Sequence, residues 1–319
     1  MVDAARDSAA ERAPRSVGAE AVPEESRPRP SRRVANQASR HPDWRPRLVA
    51  LDIDGTLLKW IDGGGTTREE ITPAVHDAVQ RALDAGAHVV LASGRSPHGM
   101  TDVADLLALH SDGHDPLWIV ASNGAVVFRY PPLEVVHEET FDARPAVSAI
   151  LERHPTALVA VEERGVGYRV NRHFPDGELT GEMTIAEVAD LVSGPVSRVI
   201  IRDPDATADD FVALAEDLGL HGTNYVVGWT AWLDLAPVGV SKASGLEHVA
   251  RELGLAAADV LAIGDGRNDI EMLRWAGRGV AMGQAIQPVI DAADDVTESV
   301  YEDGAAIELN TWFGDGDPE

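Results

Sequence analysis

From Leu48 to Leu58 the chain reads Leu-Val-Ala-Leu-Asp-Ile-Asp-Gly-Thr-Leu-Leu, an apolar run that ends on two carboxylates, a glycine and a threonine. A run without polar alternation predicts a strand covered on both faces, as in the middle of a parallel sheet. The pattern returns at His88–Ala92 before Ser93-Gly94-Arg95, and at Leu117–Ala121 before Ser122-Asn123-Gly124-Ala125. It appears again at Val260–Ile263 before Gly264-Asp265-Gly266-Arg267-Asn268-Asp269, and at Gly279–Met282. Helical patterns separate these runs. Thr72-Pro73 supplies an N-cap and a first helical residue, Ala74, Val75, Ala78, Val79, Ala82 and Leu83 recur at helical spacing, and Gly86 closes the segment. Ser96-Pro97 opens a second helix in the same way, and Ser241–Leu253 forms a third with Lys242 in its first turn. Strand and helix in alternation predict an α/β fold with a Rossmann-like parallel-sheet core. Ligands of such sheets bind outside the carboxyl ends of the strands, where these small and polar residues stand.

Between about Tyr130 and Ala236 the pattern changes. Short alternating strands at Val166–Val170 and Val196–Ile201 mix with helical segments near Ala146–Arg153, Ile185–Val192 and Phe211–Leu218, which predicts an inserted α+β unit. The expected division is a tail over 1–45, a core over 46–129 and 237–312, and an insertion over 130–236. The tail mixes Ala, Ser, Pro, Arg and Glu without apolar periodicity and is expected to be disordered.

Composition narrows the picture. A chain of 319 residues has room for roughly two domains. A formal charge of -26 argues against nucleic acid or anionic membranes as partners, since both require a basic face. No apolar run approaches the roughly 20 residues needed to span a bilayer. The chain lacks cysteine, and Arg32-Arg33 is followed by residues too polar for an export signal, so a cytoplasmic location is expected.

The charge also bears on chemistry. Asp52 and Asp54 end one strand and Asp265 and Asp269 another, and with Ser93 and Lys242 they can converge on one pocket. Lys242 is one of only two lysines, Lys59 being the other. Crowded carboxylates raise one another's pKa unless a cation sits among them, and a hard divalent ion such as Mg²⁺ suits a few carboxylates and waters.

These motifs resemble those of the haloacid dehalogenase superfamily, and within it the Cof-type (subfamily IIB) phosphatases, over about Arg47 to Asn310. Asp52-Ile53-Asp54-Gly55-Thr56-Leu57-Leu58, Ser93-Gly94-Arg95, Lys242 and Gly264–Asp269 match the family's four motifs in order. Gln284 departs from the usual Asn, and Gly266-Arg267 fills the fourth motif uncommonly; both are expected at the rim. The resemblance implies that the insertion is a cap and that Asp52 is the nucleophile forming an aspartyl-phosphate. It implies Asp54 as general acid and base, and Ser93 and Lys242 as catalytic groups at the phosphoryl oxygens. Mg²⁺ would be held by Asp52, the Asp54 carbonyl and Asp265, with Asp269 in support. Gly55, Asn123, Gly124 and Asn268 would face substrate, a small phosphate ester with sugar phosphates ahead of nucleotides and flavin mononucleotide, and Arg95 would either reach phosphate there or brace a loop. Glu163, Arg164, Arg169, Arg172 and His173 are polar candidates in the cap. A sugar phosphotransferase or phosphomutase of the same superfamily would use the same nucleophile. A receiver-like signalling module also has such a pocket, but lacks a second Asp two residues on and the long insertion.

Overall fold

The computed structural model describes residues 43–63, 66–108, 116–163, 166–175, 178–179, 181–203, 206, 223–227 and 232–314. The expected tail up to residue 42, Arg164 and the helix expected at Phe211–Leu218 lie outside them. The first apolar run forms β1 (Leu48–Leu51), which is wholly buried. Val49 and Leu51 pack with Val75, Val79 and Met100, while Leu48 and Ala50 pack with Leu246, Val249 and Met272. Both faces are covered, so both parities must be apolar.

The chain continues through β2 (Lys59–Gly63), β3 (Thr66–Glu70), α1 (Pro73–Asp84), β4 (His88–Ala92), α2 (Pro97–Leu106), β5 (Leu117–Ala121), β6 (Val126–Tyr130) and β7 (Glu134–Glu138). Then come α3 (Arg144–Arg153), β8 (Leu158–Glu163), β9 (Gly167–Val170), β10 (Glu182–Ile185), α4 (Val188–Leu191), β11 (Val199–Arg202), β12 (Thr223–Val227) and β13 (Trp232–Pro237). It closes with α5 (Lys242–Glu252), β14 (Val260–Gly264), α6 (Ile270–Trp275), β15 (Arg278–Ala281), α7 (Gln287–Ile290), β16 (Asp295–Val296) and α8 (Gly304–Phe313). Thr72, Ser96 and Ser241 cap α1, α2 and α5 by accepting the N–H of Val75, Gly99 and Ser244.

The larger sheet runs β16-β15-β14-β1-β4-β5-β6-β7. Leu51 stands opposite Ile263 on one side and Leu91 on the other, both in parallel pairing. Asp52, Ser93 and Asp265 therefore leave the sheet at neighbouring places on its carboxyl edge. Only β6 runs against the others in this sheet, pairing antiparallel with β5 on one side and β7 on the other. β7 falls within 130–236, yet it is hydrogen-bonded to β6 in the larger sheet.

The smaller sheet, β10-β9-β8-β11-β13-β12, carries α3 and α4 on one face. Val159, Val161, Val199 and Ile201 meet Val147, Ile150 and Leu191 there, while Leu158, Ala160 and Ile200 turn to the other side with Tyr168 and Phe174. The helix expected over Ile185–Val192 is shorter, because Ile185 pairs with Val170 as the end of β10 and only Val188–Leu191 is helical. The antiparallel hairpin β2–β3 was not expected, although the run of three glycines that begins at Gly63, the last residue of β2, carries a turn signal in the sequence. At the edge of the expected tail, Trp44 packs edge-on against Trp312 at 4.8 Å and donates from Nε1 to the Ala258 carbonyl at 2.8 Å. Among the described residues no helix is long and apolar enough to cross a membrane.

Candidate active site

Lys242 opens α5 directly after its Ser241 cap, and its side chain is completely buried. Nζ donates to Asp52 Oδ1 at 2.5 Å and to Asp269 Oδ1 at 2.6 Å. Asp269 Oδ2 accepts the N–H of Asp265 at 3.0 Å and of Gly266 at 2.8 Å. Oxygens of Asp52, Asp265 and Asp269 lie within 4.8 Å of one another. Burial first, then the charge of Asp269, lifts the Asp52 carboxyl well above the ordinary range, with Lys242 opposing. The same two causes push Asp265 up to about 6. Burial works against the Lys242 ammonium, but Asp269 and Asp52 outweigh it and hold the group charged. One ammonium among three carboxylates leaves negative charge uncompensated, and a hard divalent cation fits that donor set.

The Asp54 carboxylate has a different cationic partner. Arg95 grips it with both arms of the guanidinium, Nε to Oδ2 at 2.9 Å and NH2 to Oδ1 at 2.6 Å. Ser93 is buried beside it, its Oγ accepting the Arg95 N–H at 3.2 Å. Gly55 has φ +86°, and a Cβ there would collide with the Asp265 carboxylate, so both the conformation and the close approach require glycine. Asn268 donates from Nδ2 to Asn123 Oδ1 at 3.0 Å, joining the turn after β5 to the turn after β14. Ser122 and Asn123 both take left-handed backbone, φ +51° and +54°, a conformation that costs a non-glycine residue on the order of 1 kcal/mol. Gly124 follows at φ +102°, packed against the Ser241 carbonyl.

Gln284 is exposed, as a rim position requires, and it also has partners at the site: Nε2 donates to the Gly55 carbonyl at 2.6 Å and to Asp265 Oδ2 at 3.1 Å, and Oε1 accepts the Val300 N–H. It therefore ties the turn after Asp54 to a carboxylate of the acidic cluster. In the unit of the smaller sheet, Arg169 donates to the carbonyls of Asp190 and Leu191, and Arg172 to those of Thr156 and Ala157. These two arginines brace backbone.

A family model described as haloacid dehalogenase-like hydrolase matches residues 49–309, a span that includes every group above. The chain belongs to this family. One relative of this haloacid dehalogenase-like hydrolase is a phosphoglycolate phosphatase of Natronomonas pharaonis, 32% identical over 80% of this chain and 93% of the relative. Another is 5-amino-6-(5-phospho-D-ribitylamino)uracil phosphatase YcsE of Bacillus subtilis, 27% identical over 83% of this chain and 95% of the relative. Among solved structures, a haloacid dehalogenase-like hydrolase from Bacteroides thetaiotaomicron is 26% identical with a TM-score of 0.67, covering 84% of this chain and 99% of that one.

The hydrolase carries one further polar group that no motif announces. Glu162, at the end of β8, accepts the Ser122 hydroxyl, with its two oxygens at 2.9 and 2.7 Å. Arg198 stands 3.7 Å from Glu162 and pairs in a bidentate manner with Asp234 at 2.7 and 2.6 Å. All four residues are buried. The sequence signal was slight: a carboxylate closing the apolar run Leu158-Val159-Ala160-Val161.

Proposed function

We propose that the protein is a Mg²⁺-dependent phosphatase that hydrolyses small phosphate monoesters, sugar phosphates foremost, through an aspartyl-phosphate on Asp52. The observation that carries this reading is the cluster of buried Asp52 and Asp269 and half-buried Asp265 around Lys242. The Asp52 carboxylate attacks phosphorus in line, forming an O–P bond as the ester O–P bond breaks. Asp54 gives its proton to the departing alkoxide and recovers one from the water that next attacks the acyl phosphate, releasing inorganic phosphate and free Asp52. Lys242, Ser93 and backbone N–H groups near Gly55 hold the phosphoryl oxygens as charge shifts among them. Arg95 aims the Asp54 carboxylate, and Asn123, Gly124 and Asn268 line the substrate side.

Asp52, Asp265 and the backbone carbonyl of Asp54 are the groups that would hold Mg²⁺. When bound, the ion supplies positive charge that offsets repulsion between nucleophile and phosphoryl group. Asp269, with both oxygens already engaged by protein donors, braces Asp265 and Lys242. The names of the two relatives, phosphatases of a small organic acid ester and of a phosphorylated ribityl compound, support a small polar leaving group. The test is a panel of sugar phosphates, nucleotides and p-nitrophenyl phosphate given to purified protein after chelation and after Mg²⁺ is restored. Phosphate release should vanish and return; full activity after thorough chelation rejects the mechanism.

A further inference from the structure

The turn between β5 and β6 holds Ser122 and Asn123, two successive non-glycine residues in left-handed backbone. Such a conformation persists only where the surroundings over-determine it. Two ties come from the core: the Ser122 N–H reaches the Arg95 carbonyl at 2.8 Å, and the Asn123 N–H reaches the Ser93 carbonyl at 3.0 Å. The third comes from the cap, where Glu162 accepts the Ser122 hydroxyl across 40 positions of sequence. Asn123, so placed, meets Asn268 and lies beside Gly94. The turn thus stands between the second and fourth motif loops of the site.

We infer that Glu162 is a positioning residue of this site: from the cap it fixes Ser122, and through Ser122 the left-handed turn that sets Asn123 against Asn268. The inference rests on the phosphatase reading for its effect on turnover, but not for its effect on the turn. Glu162 suits the task because its own place is fixed. It is buried, and Arg198, locked by Asp234, stands 3.7 Å from its carboxylate. Burial lifts its carboxyl above the ordinary range while Arg198 and the Ser122 hydroxyl pull it back, so the hydroxyl is one of the groups that keep the buried anion stable. A glutamate with no partner on the core side would be desolvated for nothing. The bond therefore has a structural reason to form whenever the cap is seated, and the turn is held by the same event.

The experiment compares Ser122→Ala, Glu162→Ala, Glu162→Gln and the double variant Ser122→Ala/Glu162→Ala with Val147→Ala, which loosens the cap's apolar packing without touching the network. Amide hydrogen exchange over residues 121–126 is read beside p-nitrophenyl phosphate turnover with Mg²⁺ and the melting temperature. Exchange in the turn should rise about tenfold in Ser122→Ala and in Glu162→Ala, with turnover falling by a similar factor. The double variant should be no worse than either single one, and Glu162→Gln, whose amide oxygen still accepts the hydroxyl, should recover most of both. Val147→Ala should lower the melting temperature and leave the turn's exchange unchanged. The inference is overturned if Glu162→Ala leaves exchange within twofold of wild type, if the two single effects add, or if Val147→Ala loosens the turn equally. A wild-type protein without phosphatase activity would reject the proposed function, and the exchange measurements would still decide the role of Glu162.

Discussion

Asp52 and Asp54 are two positions apart and meet opposite company: Asp52 a lysine inside an acidic cluster, Asp54 an arginine outside it. That separation fits one nucleophile and one proton carrier. Asp52→Asn should end turnover of every ester, because no other carboxylate can take its place in line with phosphorus. Asp54→Asn should cost about 10²–10⁴ in kcat for alkyl phosphates, whose leaving alkoxide needs the proton. With an aryl phosphate the first step survives, so rapid-mixing kinetics should show a burst of phenolate followed by slow release of phosphate. Gln284→Ala removes a hydrogen bond to Asp265, and outer-shell losses of this kind typically cost about 10–100-fold in metal affinity. A Mg²⁺ titration should show that shift with kcat largely retained at saturation. At this level the sequence was informative wherever a residue stood at the end of a buried strand, as Asp52, Ser93 and Asp265 do. It was poor for Gln284 and Glu162, whose roles depend on loops that meet only after the sheets have formed.

Helices and strands were legible where a local signal marked both ends. Thr72-Pro73 and Ser96-Pro97 start α1 and α2 as capping chemistry requires. The β2–β3 hairpin and β10 went unread, since short polar strands lack the periodicity that distinguishes buried ones. The smaller sheet makes its own predictions. Arg198→Met leaves Glu162 and Asp234 buried without their cation, and breaking a buried pair from one side costs about 3–5 kcal/mol, measurable as a lowered melting temperature. Arg169 and Arg172 are engaged by backbone, so the proposed discrimination between leaving groups is tested at other side chains of the same unit. Glu163 and His173 are exposed. Replacing each by Ala should reorder kcat/KM across a panel of esters; a common factor for all substrates would show that these residues take no part in selection.

The whole molecule should be sensitive to both pH and divalent cation through the acidic cluster. Without metal, Asp265 titrates near 6 in the folded chain against an ordinary 3.8. Between those values the folded protein keeps a proton that the unfolded chain has released, so stability falls as pH rises through the window and stays lower above it. Calorimetry on chelated protein should therefore show the melting temperature dropping between about pH 4 and 6, with Asp265→Asn flattening the drop. Mg²⁺ at a hundred times its dissociation constant should add about 2.7 kcal/mol of stability at neutral pH. The fold class was readable from alternation alone, because β1, β4, β5 and β14 are apolar on both faces.

The pairing of β1 with β14 also dictates when this protein can fold. Leu48 is made early and its partner Val260 late, with the smaller sheet's strands in between. At about 5–20 residues per second, the ribosome needs on the order of 10–40 s to deliver the second strand after the first. During that interval one hydrogen-bonding edge of an apolar strand waits without its native neighbour, a template for mispairing. Slower translation after the smaller sheet should lengthen that exposure and raise the aggregated fraction of newly made chain. A circular permutant that joins β14 closer to β1 in sequence should reduce it.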